Sequence, residues 1–333
     1  NLIIYLVEAF VDPRIMNIQT TRDPIPTFRR LMEESSSGTI TSPSVGGGSA
    51  NAEFEILTGM SMRLLGRGVT PYRHSLKRKT NSLATELHKH GYKSTALHVA
   101  SLGFYNYREA YQNLGFDEWK SLWETPDVEM DIRGRMPSDQ ALVNDIIQTS
   151  EQHKPYFIFA FPNSTHHPWN HSDYDSSSLD IVGDYSARQK KALKTYVNAL
   201  NTADQAIDSL ISHFSNVQEK TAILILGDHL PAMRKFGKAN NIFPPSDLDR
   251  IDRVRVLHQL NAVLWTNYGA EKNDFDLSMN FLSTRVLEEM QIRPSGFLSL
   301  NDKLRKQIGV FSMLVKNSSG ELQRSTPKKY RKL

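Results

Sequence analysis

The chain has 333 residues, of which 39% are hydrophobic and 23% charged, with no cysteine and a net charge of +4. These values fit one large globular α/β domain, or a core with a smaller appendage, and they exclude disulfides, thiolate metal sites and a cysteine nucleophile. The longest apolar runs, such as Ala222 to Leu226, fall far short of the ~20 residues of a membrane-spanning helix, and no nucleic-acid-binding motif is present.

The chain opens directly on the strand-like run Leu2 to Val7, which predicts that further chain precedes Asn1. Further strands are expected over 37–42, 94–99, 156–161, 221–227 and 261–266, with helices between them over 82–90, 139–151 and 186–214. In the last of these Tyr196, Ala199, Leu200, Ala203, Ile207, Leu210 and Ile211 recur at helical spacing. The stretches 170–185 and 230–250 read as surface loops. Alternation of strand and helix predicts a mainly parallel central sheet with helices on both faces. After about residue 268 the pattern changes, so a core over 1–268 is expected to carry a small C-terminal subregion, 269–333, packed against it. Its basic tail, 323–333, is expected to be flexible, and the sequence pI of about 9.0 favours anionic partners, phospholipid headgroups among them.

In open α/β sheets the site lies at the carboxyl ends of the strands. The first strand runs into Glu8. The 37–42 strand leads through Gly46-Gly47-Gly48 to Ser49, and the 94–97 strand delivers His98. The 156–161 strand delivers Asn163-Ser164-Thr165-His166-His167-Pro168, and the 221–227 strand delivers Asp228-His229. Taken singly, each has an ordinary explanation: a glutamate after a strand is usually solvated, and a serine before a helix usually caps it. Together they place carboxylates, imidazoles and a hydroxyl on one rim. That donor set suits one divalent cation, Mn²⁺ or Mg²⁺ ahead of Zn²⁺. A serine hydroxyl needs activation to act as a nucleophile, and a cation supplies it. The glycines allow backbone amides to approach an anion, and the helix that follows aims its positive end at it.

These residues resemble a known family. Glu8 after its strand, Gly-Gly-Gly-Ser49-Ala-Asn-Ala-Glu53-Phe54-Glu55, Thr165-His166-His167-Pro168 and Gly227-Asp228-His229-Leu230-Pro231 look like the extracytoplasmic catalytic domain of lipoteichoic acid synthase. They look equally like the phosphoglycerol transferases that decorate periplasmic glucans. Both belong to the alkaline phosphatase/sulfatase superfamily, and the similarity runs from residue 1 to about 290. The resemblance implies an alkaline-phosphatase-like α/β sandwich in which Glu8, Ser49, Asp228 and His229 hold the cation. Ser49 then stands where the family has its threonine nucleophile, and His166 assists the leaving or entering oxygen. His98 would line the headgroup pocket, and His167 is a candidate for substrate binding. Phe104-Tyr105-Asn106-Tyr107-Arg108 resembles the family's Phe-Trp-Asn-Arg segment, with Tyr105 at the Trp, Tyr107 at the Arg and Arg108 one residue late, so these three are further candidates for substrate contact.

The resemblance further implies transfer of glycerol phosphate from phosphatidylglycerol to a glycan or polyglycerolphosphate acceptor through a covalent glycerophosphoryl-Ser49. The work would take place at the membrane surface, on the extracytoplasmic face of the bacterial inner membrane. A phosphoethanolamine transferase or a phosphodiesterase of the same superfamily, and an inactive domain that binds anionic lipid or polymer, are the alternatives. A sulfatase proper would carry Cys/Ser-x-Pro-x-Arg, and Ser49-Ala50-Asn51-Ala52-Glu53 has neither the proline nor the arginine.

Overall fold

The computed structural model describes all residues except 67, 127–129, 132–135, 173–175, 233–235, 237–247, 317–318 and 325–333. The basic tail thus lies outside the described residues from 325 onward, as do parts of the loops expected over 170–185 and 230–250.

Three strands, Leu2–Val7, Tyr156–Phe161 and Ala222–Gly227, are buried at every position. Successive side chains of a strand point to opposite faces, so burial of all six requires cover on both sides of the sheet. These strands form the middle of an eight-stranded sheet. Leu2–Val7 pairs in parallel with Ala222–Gly227 on one side, Leu2 opposite Ala222, and with Tyr156–Phe161 on the other, Leu2 opposite Phe157. Lys93–His98 and then Glu118–Ser121 extend the sheet in parallel beyond Tyr156–Phe161. On the opposite flank Gln259–Thr266 pairs antiparallel with both Ala222–Gly227 and Ser36–Thr41, and Phe275–Ser278 closes that edge parallel to Ser36–Thr41. Gln259–Thr266 is therefore the single reversed strand, and the expected mainly parallel sheet is present.

Apart from Arg250–His258, the described α-helices form two groups. Pro26–Glu34, Asp139–Gln152 and Ala187–Ser215 pack together and on the sheet. Asp204 of the long helix ties the group by accepting from the backbone amides of Thr27 and Phe28 at 2.9 and 2.8 Å. The second group contains Ser49–Thr58, Pro71–His74, Leu83–His88, Tyr107–Asn113, Leu282–Glu289 and Gly296–Ile308. Residue 268 falls in the turn after Gln259–Thr266. Beyond it the chain returns to the sheet edge as Phe275–Ser278, and Leu282–Glu289 packs on the Ser49–Thr58 helix. Among the described residues no helix is long and apolar enough to cross a membrane.

Candidate active site and metal centre

The strands that run the same way deliver their carboxyl ends to one rim, and four of the expected residues meet there. Glu8 follows Leu2–Val7, and Asp228-His229 follows the neighbouring Ala222–Gly227. Gly227 makes the approach possible, because a Cβ there would lie 1.9 Å from the carbonyl oxygen of Phe10. Asp228 is fixed through one carboxylate oxygen: Oδ1 accepts from the amides of Ala9 and His229, both at 2.7 Å. Its other oxygen, Oδ2, is buried with no hydrogen-bond partner and lies 3.2 Å from His229 Nε2. His229 donates Nδ1–H to the Leu230 carbonyl at 2.9 Å, which leaves the Nε2 lone pair pointing inward, 3.7 Å from Glu8 Oε1.

Glu8, Asp228 and His229 each offer a ligand atom, and these atoms lie within 4.8 Å of one another. Two buried carboxylates facing an imidazole lone pair are electrostatically unsatisfied as they stand. Burial, and then the Glu8 carboxylate, raise the pKa of Asp228. Burial opposes charge on His229, but Asp228 and Glu8 outweigh it and raise its pKa. A divalent cation between the three removes the conflict, so the residues present fit one. Oxygen and nitrogen donors without sulfur suit Mn²⁺, Mg²⁺ or Zn²⁺.

Ser49 opens the Ser49–Thr58 helix and donates its hydroxyl to Glu8 Oε2 at 2.9 Å. Gly48, just before it, has φ +92°, a left-handed conformation that L side chains rarely adopt, and a Cβ there would also crowd Ser44 and Asn51 at 3.1 Å. The turn that aims the hydroxyl at the cluster therefore needs glycine. Thr165 clamps the next loop by donating its hydroxyl to the Glu8 carbonyl, and Trp169 Nε1 donates to the Thr165 carbonyl at 2.9 Å.

The cluster opens into a cavity of about 270 Å³ lined by the glycine turn, Ser49, His98, Tyr105, Asn163, His166 and His167 with their neighbours. His98 receives the Ala100 amide on Nδ1 at 2.9 Å, so its proton sits on Nε2, a buried donor with no partner at the cavity wall. Burial lowers the His98 pKa to about 3 and keeps the ring neutral. His166 donates Nδ1–H to the His167 carbonyl, which frees Nε2, and desolvation lowers its pKa.

Two of the residues expected to contact substrate are engaged elsewhere. Tyr107 lines the cavity with its ring, 4.4 Å from the ring of His98, but its hydroxyl donates to Glu53 at 3.0 Å. Arg108 turns away and pairs with Glu124 at 2.8 Å, because Glu124 also accepts from the Leu102 amide and anchors the same loop. Glu53 itself carried no role in the sequence reading. It is fully buried and accepts from three tyrosine hydroxyls, Tyr72, Tyr107 and Tyr111. Its position one helical turn after Ser49 was a signal, but nothing in the sequence told that three rings would reach it. A larger, shallower hollow of about 690 Å³ lies at the opposite, amino ends of the strands, near Asn1 and Lys220. Its Arg285 is paired with Glu289 at 3.0 Å. The smaller cavity, which holds Ser49 and opens from the Glu8–Asp228–His229 cluster, is the candidate site.

The mainly parallel sheet covered by helices is the alkaline-phosphatase-like class of α/β fold, shared with a solved Vibrio parahaemolyticus protein of the alkaline phosphatase superfamily. Within that class the chain belongs to the sulfatase family, whose model matches residues 1–288. A Rhizobium meliloti (strain 1021) protein named for cyclic beta-1,2-glucan modification is 32% identical over 295 residues, covering 87% of this chain and 45% of that protein. The chain thus spans less than half the length of the curated relative it matches. Among solved structures, the Streptococcus pyogenes phosphoglycerol transferase GacH in complex with sn-glycerol-1-phosphate superposes with a TM-score of 0.76 at 20% identity, over 93% of this chain and 79% of that one. The lipoteichoic acid synthase LtaP from Listeria monocytogenes gives 0.69 at 19% identity, over 98% and 87%. At these identities the likeness is one of fold.

Proposed function

We propose that this protein is a metal-dependent phosphoglycerol transferase that moves glycerol phosphate from phosphatidylglycerol to a glycan or polyglycerolphosphate acceptor outside the cytoplasmic membrane. The observation that carries this reading is the placement of the Ser49 hydroxyl against Glu8, within the cluster completed by Asp228 and His229, at the floor of a cavity walled by neutral donors. Glu8 is the only carboxylate among the described lining residues, and it belongs to the cluster. A cavity without a spare carboxylate suits the hydroxyls of glycerol better than the ammonium of ethanolamine. The names of the curated relative and of the two structural neighbours are consistent with the reading.

Glu8, Asp228 and His229, joined by Ser49, would hold one divalent cation, which supplies charge neutralisation at the phosphoryl group and lowers the pKa of the serine hydroxyl. The chain does the rest. The Gly46–Gly48 turn and the first amides of the Ser49–Thr58 helix receive the non-bridging oxygens. Ser49 Oγ forms a bond to phosphorus on the face opposite the diacylglycerol oxygen and loses its proton to solvent. The bond to diacylglycerol breaks, and His166 in its protonated form gives that oxygen a proton from Nε2. In the second half His166, now neutral, takes the proton of the acceptor hydroxyl as that oxygen bonds to phosphorus and the serine oxygen leaves and is reprotonated. His98 Nε2–H is the donor available to a glycerol oxygen throughout.

The test is mass spectrometry of the protein after incubation with phosphatidylglycerol and Mn²⁺. A glycerophosphoryl adduct on Ser49 is expected, absent from Ser49→Ala, which should also lose turnover with an unchanged melting temperature. Full turnover by Ser49→Ala would overturn the nucleophile assignment. Turnover that does not respond to a glucan acceptor would instead identify a phosphodiesterase.

A further inference from the structure

Residues 62–80 carry Arg63, Arg67, Arg73, Lys77, Arg78 and Lys79 and not one aspartate or glutamate. The segment borders the cavity. Tyr72, in the Pro71–His74 turn, packs edge-on to Tyr107 at 5.7 Å, and the guanidinium of Arg73 lies 5.3 Å over the ring of Tyr105, a cavity-lining residue. The chain then runs down the Tyr107–Asn113 helix. Asn113 Nδ2 donates to the Leu76 carbonyl at 3.0 Å, and the Thr80 amide donates to the Asn113 carbonyl at 2.8 Å. At 1.5 Å per residue this puts Lys77, Arg78 and Lys79 about 9 Å along that helix from Tyr107. All three are exposed, as is Arg73, and among the described residues none of the four has a carboxylate partner. The neighbouring acids are engaged elsewhere: Glu109 accepts from Asn106, and Glu124 pairs with Arg108.

Large apolar side chains are exposed in the same segment and in the loops around Tyr105. Phe104, 54% exposed, packs on Tyr105 with ring centroids 4.5 Å apart, and Trp123, 49% exposed, precedes Glu124 on the same loop cluster. Leu64, within the basic segment, is 64% exposed. Unpaired cations next to aromatic and aliphatic side chains are what an anionic bilayer interface selects, since the cations meet the surface potential while the rings and the leucine enter the headgroup boundary. A hydrated glycan phosphate would satisfy the cations but has no use for an exposed leucine.

We propose that this basic rim, edged by Phe104, Trp123 and Leu64, is the surface that rests on an anionic phospholipid bilayer and turns the cavity mouth toward the lipid headgroups. The inference rests on the reading that the donor is a membrane lipid, and it adds where on the protein the membrane sits. The test is cosedimentation with vesicles of phosphatidylcholine alone and of phosphatidylcholine with phosphatidylserine. Phosphatidylserine is anionic but is not the proposed donor, so binding reports the rim rather than the active site. The parent protein is expected to bind the mixed vesicles, to ignore phosphatidylcholine, and to release in high salt. The triple variant Lys77→Glu, Arg78→Glu, Lys79→Glu should bind the mixed vesicles at least ~10-fold more weakly, with unchanged melting temperature and unchanged turnover of a soluble glycerophosphodiester. Leu64→Ser should weaken vesicle binding without altering net charge. The proposal is overturned if the parent ignores mixed vesicles, or if the triple variant binds them as the parent does. It is also overturned if the triple variant keeps vesicle binding and loses binding to glycerol-phosphate-substituted glucan instead. Failure of the parent to turn over the soluble diester would sink the proposed function and leave the vesicle result standing.

Discussion

Glu53 is a fully buried carboxyl whose chemistry the proposed reaction does not use. Burial raises its pKa to about 8, although the hydroxyls of Tyr72, Tyr107 and Tyr111 all favour the ionised form. A carboxyl whose folded pKa lies above its unfolded value binds more protons in the native state across the interval between them. The stability it contributes is complete below the unfolded value and is lost as pH rises through the folded one. The expected loss between about pH 4.5 and 8 is on the order of a few kcal/mol. Glu53→Gln removes the titration but offers one acceptor oxygen and one amide to three hydroxyl donors, at a cost of about 1 kcal/mol or more. Scanning calorimetry should therefore find the variant less stable than the parent at pH 5, with the gap closing or reversing at pH 8.5. A gap that stays constant with pH would show that Glu53 does not titrate in this range. Because the Tyr107 ring lies against His98, the same substitution should raise KM for the lipid donor more than it lowers kcat.

The strands and their ends bring the site together, and this is where sequence and structure agree most closely. Gly227→Ala tests that link. The added methyl would meet the Phe10 carbonyl at 1.9 Å, and relief requires moving the segment whose Ala9 amide holds Asp228. A loss of about 1–3 kcal/mol is expected in urea unfolding, with Mn²⁺ affinity by titration calorimetry falling at least tenfold. Unchanged affinity would mean that the backbone of residues 8–10 does not set the cluster. The central strands were legible because burial on both faces writes a continuous apolar run, as in Leu2–Val7 and Ala222–Gly227. The strands Glu118–Ser121 and Phe275–Ser278 were not legible, for the converse reason. Each sits at a sheet edge, is four residues long and is only partly buried, so its composition is that of a loop. The helices over 139–152 and 187–215 follow their apolar periodicity to within a residue at each end. Within the site, Glu8, Ser49, Asp228 and His229 were legible because strand ends converge by topology. The engagement of Arg108 by Glu124 and of Tyr107 by Glu53 was not, since pairings across loops leave no periodic trace.

On the scale of the molecule, the rim gathers charge that the fold alone does not balance. Glu8 and Asp228 are both buried, and the partner they share, His229, is neutral unless protonated. A cation bound here stabilises the native state alone, because unfolding scatters residues 8 and 228 to distant parts of the chain. At a free concentration one hundred times Kd the gain is about 2.7 kcal/mol, on the order of 5 °C for a domain of this size. Chelator-treated protein should therefore melt lower than protein with Mn²⁺ restored. The effect should shrink sharply in Glu8→Gln and Asp228→Asn, which remove a ligand charge while keeping shape. Both variants should also melt higher than the parent when no metal is present, because each neutralises one carboxylate and so removes the repulsion between the two. That inversion separates a metal centre from an ordinary buried ion pair, in which losing one partner lowers stability under every condition. If either variant melts below the metal-free parent, or retains the parent's full response to Mn²⁺, the cation is bound elsewhere and the role assigned to this cluster fails.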